Sequence, residues 1–421
     1  CPTSDSWENY QAGWRIRGGV VRATTITRPD GTTFTRRYNA QGMVVENINA
    51  EGQSFSDQLD ANNRTVKRVD ALGRITRFTY DAQGNVTRSI DALGRITDLT
   101  YDAHWNKPTS ITRFESDGNP VTALMAYHAS TGNLVRSTNP LGQSSSFEYS
   151  AQGQLAAITD ALGHRHALSY NPAGDLVRSV DPLGNDSGLG YDPVGRPTSS
   201  TDPMGYSAQT QYNALDQVTQ RTDPLGGVTR YTYDAAHRLS VVTNALNQAT
   251  ESYGYDAGDH LTRRTDALGR SETITYDAQG RVATRTDRKG QVKRSHYDAE
   301  SRLVRLERAD GNLSIGYDAV GRVQRIDDSA SGSSVSYEYD NADRVLKETQ
   351  STAAGTNVVA YEYDALDRRI KRTVNGTEAT TYAYDKASRL TGIGYAGQTT
   401  AYAYDAAERL TTKTLPNGIT Q

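Results

Sequence analysis

Apolar and polar positions in this chain do not follow a helical period. They come in runs of about six to eight residues, rich in Thr, Val, Ile and Tyr, in which apolar and polar side chains loosely alternate. "RITRFTY" (Arg74–Tyr80) and "RVATRTD" (Arg281–Asp287) are two such runs. Length, composition and alternation agree with one another, so each run predicts a β-strand. No i, i+3, i+4 apolar pattern persists beyond a few residues, so no helix is predicted.

The stretches between runs are equally regular. Aligned on one tyrosine, the sequence repeats at Tyr38, Leu59, Tyr80, Tyr101, Tyr127, Tyr149, Tyr170, Tyr191, Tyr212, Tyr233, Tyr255, Tyr276, Tyr297, Tyr317, Tyr339, Tyr363, Tyr384 and Tyr404. That is 18 units of about 21 residues; 17 keep the tyrosine and 12 follow it with Asp. Steps are mostly 20 to 22 residues, with longer ones of 26 before Tyr127 and 24 before Tyr363. The extra residues are expected in hairpin loops around Glu115–Pro120 and Ser351–Asn357. An earlier, degenerate unit is expected from Tyr10. The array proper is taken as 38–421, after an N-terminal degenerate region 1–37, with no separate catalytic domain.

Each unit carries two turn signals. One follows the tyrosine, as in Asp81–Gly84 and Asp277–Gly280; the other reads Asp-Ala-Leu-Gly or Asp-Pro-Leu-Gly, as in Asp70–Gly73 and Asp181–Gly184. The Asp can accept a backbone N–H, Pro presets φ near −65°, and Gly in fourth place can take positive φ. These are the preferences of a type I turn closed by a glycine bulge, which suits a hairpin. The residues expected to define the repeat are Tyr80, Asp81, Gly84, Tyr101, Asp102, Tyr191, Asp192, Gly195, Tyr276, Asp277, Gly280, Tyr317, Asp318 and Gly321.

One unit is thus two antiparallel strands, and the array is an all-β meander of about 36 strands. Open sheets rarely exceed about ten strands without curling. At about 4.8 Å per strand the ribbon is about 170 Å wide, and rolled once it would enclose a lumen about 50 Å across. A filled core would need an aliphatic stripe, yet most strands offer one or two aliphatics beside Thr, Arg and Ser. A continuous sheet curled into a spiral, hollow shell is the expected fold.

Composition narrows the function. The 421 residues carry 46 basic and 49 acidic side chains, a net charge of −3, so there is no basic field for nucleic acid. Mean hydropathy is −0.68 and no stretch approaches a membrane-spanning helix. Tyrosine is the outlier, with 26 against 5 Phe and 3 Trp. The single cysteine, Cys1, cannot form an internal disulfide; first in the chain, it is a candidate for lipid modification.

The unit "YDAxGRVxxxTDxxG" resembles the YD repeat of Rhs proteins, found also in the B/C shells of insecticidal toxin complexes and in teneurins. "GYDAVGR" (Gly316–Arg322) and "YEYDALDR" (Tyr361–Arg368) are similar to typical copies, and the resemblance runs from Tyr38 to the end. It implies a closed β-shell that holds a C-terminal toxin or other polypeptide cargo until delivery in bacterial competition. It also implies a non-catalytic role, export to the medium or cell surface, and secretion-apparatus proteins as further partners. The sequence departs from toxin-type members. No Asp-Pro and Gly-Leu-rich self-cleavage motif follows Tyr404, and no toxin or spike domain flanks the repeats; a middle segment of a larger protein, a truncated member and a stand-alone wall-associated member all fit this.

The residues themselves offer little chemistry. His164 and His166 make a candidate metal pair without a third ligand nearby, so no metal or cofactor is expected. A rank of 12 identical Asp is what turns require; an acid–base pair needs two carboxylates in unlike environments. No nucleophile elbow, phosphate loop or dinucleotide fingerprint occurs. The rival reading is a surface protein whose repeated tyrosines stack on glycans.

Overall fold

In this computed structural model, the residues described are 11–17, 20–28 and 31–421; Cys1 and Tyr10 lie outside them. The described residues form 38 β-strands and no helix. They begin with β1 (Gln11–Arg17), β2 (Val20–Thr27) and β3 (Thr33–Tyr38) and end with β38 (Leu410–Thr414). Each strand pairs antiparallel with the one before and the one after, giving one continuous meander. The two strands beyond the expected 36 are β1 and β2, so the sheet runs without a break through Tyr38.

The hairpins have the expected turn chemistry. Between β7 (Ile75–Tyr80) and β8 (Val86–Ile90), Gly84 N–H donates to Asp81 O and Asp81 N–H to Asn85 O, at 3.2 and 3.0 Å. The register slips by one residue at Tyr80. Nearly every YD hairpin repeats this slip at its tyrosine, as at Tyr276 and Tyr404.

The two long spacings have a different cause from the one expected. Glu115–Gly118 is an ordinary tight turn, and the extra residues lengthen its flanking strands β10 (Pro108–Phe114) and β11 (Pro120–Tyr127). Likewise β32 (Val345–Thr352) and β33 (Gly355–Tyr363) are joined through Ala353 and Ala354 alone. A ladder satisfies the backbone N–H and C=O groups that a long loop would leave to water, so the additional length zips up as strand.

The ribbon closes on itself. Turns near the start meet turns 250 to 272 residues later: Arg28 with Ala299, Ala50 with Glu300, Arg74 with Asp343, Arg95 with Asp367, and Asn139 with Glu408. Arg74 follows β6 (Thr65–Val69), whereas Asp343 follows β31 (Ser333–Tyr339), 25 strands further on. At about 4.8 Å per strand, one revolution is about 120 Å around and about 38 Å across. The sheet is thus the expected spiral, of about one and a half revolutions, and it is wound more tightly than the roughly 50 Å that one full roll of the ribbon would give. Strand twist favours the tighter curl, and the seam between successive edges supplies partners a single roll would lack.

The wall is thin. Among the described residues only Thr24, Val121, Gly132, Ala157, Val359, Leu366 and Gly392 are buried. The accessible surface is 25023 Å², whereas a compact monomer of 46.0 kDa would expose about 16,000 Å². A single curved sheet accounts for the excess.

Candidate functional site

The YD turn builds a rung that ties each hairpin to the next. In the Tyr276 unit, Asp277 Oδ1 accepts the N–H of Gln279 and Arg281 at 2.9 and 3.0 Å, and Oδ2 accepts Arg281 Nε at 2.8 Å. The Arg281 guanidinium then lies 4.7 Å from the ring centre of Tyr297, the next repeat tyrosine. Arg302 covers Tyr317 in the same way, at 4.7 Å, and Arg322 covers Tyr339 at 4.4 Å. Below its guanidinium the tyrosine hydroxyl donates to the first carbonyl of the preceding strand: Tyr276 to Leu261 at 2.8 Å, Tyr317 to Leu303 at 3.0 Å, Tyr191 to Leu176 at 2.9 Å. Ring, hydroxyl and carboxylate are all engaged, so a rung joins three strands across two units.

The other expected residues fall on the same plan. Tyr80 donates to Thr65 O at 2.7 Å, and Asp81 holds Asn85 in place of an arginine. Tyr101 donates to Val86 O at 2.9 Å; Asp102 accepts the N–H of His104 and Trp105, and Asn106 takes the positive φ in a turn one residue longer. Asp192 and Asp318 hold Arg196 and Arg322, each with Nε at 2.6 Å. Gly84, Gly195, Gly280 and Gly321 have φ between 76° and 94°. Burial pushes the Asp318 carboxyl up, but the Arg322 side chain and amide outweigh it and hold it below the ordinary carboxylate value. Asp340 balances the same way against Arg344.

The seam uses the same turns. Asp343 Oδ1 accepts from Arg322 of its own winding and from Arg74 of the other, both at 2.6 Å. Asp367 gathers Arg95, Arg113 and Arg344, the last two at 2.7 and 3.1 Å. Both aspartates occupy the fourth turn position with φ of 65° and 68°, where glycine is the comfortable residue. A side chain is tolerated there because its carboxylate bridges the windings. Neither the arginine rung nor the seam was singled out from the sequence. The recurring Arg five residues after Tyr was the available signal for the rung; for the seam there was none.

The histidines do not converge. His164 Nδ1 lies 2.9 Å from Asp160 Oδ2, and His166 Nε2 lies 2.7 Å from Ser179 Oγ. Among the described residues no group of three or more His, Cys, Asp or Glu is placed to hold a metal. Glycan stacking on the repeat tyrosines would need free ring faces, and guanidinium groups occupy many of them.

The RHS Repeat family profile matches residues 60–95, 80–118, 128–165, 170–207, 212–249, 276–313, 317–355 and 384–420, well over half of the chain. The chain belongs to the RHS-repeat family. No curated protein sequence matches it. Among solved structures it is similar to a TcdB2–TccC3–Cdc42 crystal structure, with a TM-score of 0.60 and 14% identity over 95% of this chain and 27% of that one. It is also similar to TcdB2–TccC3 without its hypervariable C-terminal region, with a TM-score of 0.59 and 14% identity over 94% and 26%. At that identity the likeness establishes the fold alone, a continuous antiparallel sheet curled into a spiral. The RHS-repeat chain spans about a quarter of the length of those proteins.

Proposed function

We propose that this chain is a non-catalytic wall segment of an Rhs shell that encloses a polypeptide cargo, such as a C-terminal toxin or effector used in bacterial competition. The seam carries this reading. A meander that only needed to be a platform could stay open, whereas Arg74–Asp343 and Arg95–Asp367 join its edges into a tube. A lumen about 38 Å across accommodates an unfolded chain and little folded protein, by the spacing argument above. Cargo in such a shell is expected to belong to the same exported polypeptide, secreted or held at the cell surface.

Protease protection tests the proposal. An unstructured reporter joined after Gln421 is expected to be cleaved more slowly on the intact chain than on one carrying Asp343→Ala and Asp367→Ala. Cleavage at the rate of the free reporter in both would sink the container reading.

A further inference from the structure

The seam is made of two unlike edges, and both continue past it uncovered. On the edge of Asp-x-Leu-Gly turns, the third turn residue is an apolar knob. Leu72, Leu93, Leu141 and Leu162, along the seam and its last turn, are 39–45% exposed. Beyond it, Leu183, Met204, Leu225, Leu246 and Leu268 stand 74–93% exposed. These five recur every two strands, so they form a row of knobs about 10 Å apart. Pro182, Pro203 and Pro224 stiffen three of the turns that carry them.

The YD edge offers the matching half. Within the seam most of its third turn residues are apolar and covered: Leu366 is 7% exposed, and Val320 and Ala342 are half-buried, while Glu300 at the same position accepts the Ala50 N–H. Outside the seam the same position holds Val194 and Leu215, both exposed. Its fourth position holds Asp216 and Asp259, with φ of 62° and 64°. Each is paired with the preceding turn's arginine, Arg196 or Arg238, at 2.8 Å, as Asp343 is paired with Arg322. Yet their side chains remain 74–75% exposed, because no second arginine reaches them from another winding. Exposed cations stand on the knob edge, at Arg270 and Lys289.

We propose that a second copy of this chain docks head to tail, its open YD edge around Val194–Asp259 seated on the open knob edge around Leu183–Lys289. The contact would follow the plan of the internal seam, which brings carboxylates of the YD edge to cations of the knob edge, and would cover the apolar turn residues that both edges expose. The interface is heterologous and leaves a free edge at each end, so copies add into stacks. This inference rests on the seam and stands whether or not the shell carries cargo.

Sedimentation velocity of the 421-residue chain over a wide concentration range tests it. The expected result is reversible growth from monomer to dimer and longer species. Leu183→Asp with Leu225→Asp on one edge, or Val194→Asp with Leu215→Asp on the other, should weaken self-association by about tenfold or more. All four positions are exposed, so circular dichroism should be unchanged. Mixing the two double variants leaves one intact edge on each, and should give dimers and nothing longer. A chain monomeric throughout would overturn the proposal, as would variants that assemble like the wild type. So would a monomer that binds a separate run of YD hairpins, which would assign the knobs to a further winding.

Discussion

At the scale of single residues, most positions do one job: they let the backbone turn or they hold the turn closed. Gly184 has φ of 85°, and the space a Cβ would occupy is open for 4 Å around. The cost of Gly184→Val is therefore conformational alone, about 1–2 kcal/mol, and should appear as a lower denaturation midpoint at unchanged secondary structure. Gly132 differs, because a Cβ there would meet the Trp105 ring at 2.6 Å, so even alanine must displace an aromatic side chain. The carboxylates add a pH dependence of definite sign. Asp318 and Asp340 are held below their ordinary values, so their contribution is complete above an unfolded pKa of about 4 and fades as pH falls through the folded values. Urea midpoints should be level from neutral pH down to about 5 and fall below about 4. Asp340→Asn should lower stability at neutral pH and flatten that acid limb. An unchanged acid limb would show that the turn carboxylates do not set it.

At the scale of the hairpin, the rung explains why one word is repeated. Tyrosine supplies a ring for the guanidinium and a hydroxyl for the carbonyl behind it, which phenylalanine cannot do. Arginine is needed because it reaches several acceptors at once. Arg344 meets Asp340 through Nε at 2.6 Å, and Asp364 O and Asp367 through Nη1 at 3.1 Å each, while lying 4.7 Å from the Tyr363 ring centre. Lysine keeps the charge and loses the fork. Arg344→Lys should therefore cost about 1–2 kcal/mol, whereas exposed Arg305→Lys should cost little. Parallel urea titrations of the two variants check this, and equal effects would argue against a fork-dependent rung. Strands, turns and repeat length were legible because each is written locally: β-branched residues within five or six positions, Asp and Gly three apart. The lengthened hairpins were not. Glu115–Pro120 and Ser351–Asn357 are polar enough to read as loop, and what makes their flanks strand is pairing across the hairpin, which composition does not display.

At the scale of the whole molecule, the seam decides what kind of object the ribbon is. Without it, each strand would touch only its neighbours, and unfolding would spread along the array in loosely coupled steps. The curl could be foreseen from strand number and twist, but not its radius, because the radius depends on which turns meet 25 strands apart. That match lies in pairs such as Arg74 and Asp343, whose separation of 269 residues matches no period of the sequence. The pairs are partly exposed, so each should contribute only about 0.5–1 kcal/mol. Their effect on cooperativity should be larger than their effect on stability, because they couple windings otherwise joined only through two dozen intervening strands. Arg74→Ala and Asp343→Ala should be non-additive in a double-mutant cycle, since both remove the same bridge. In hydrogen exchange, β7 and β31 should open together in the intact chain and separately once Asp343 and Asp367 are both alanine. If the two strands keep a common opening free energy in that variant, the charged pairs are ornament and other features of the two edges, such as the covered turn residue Leu366, hold the tube closed.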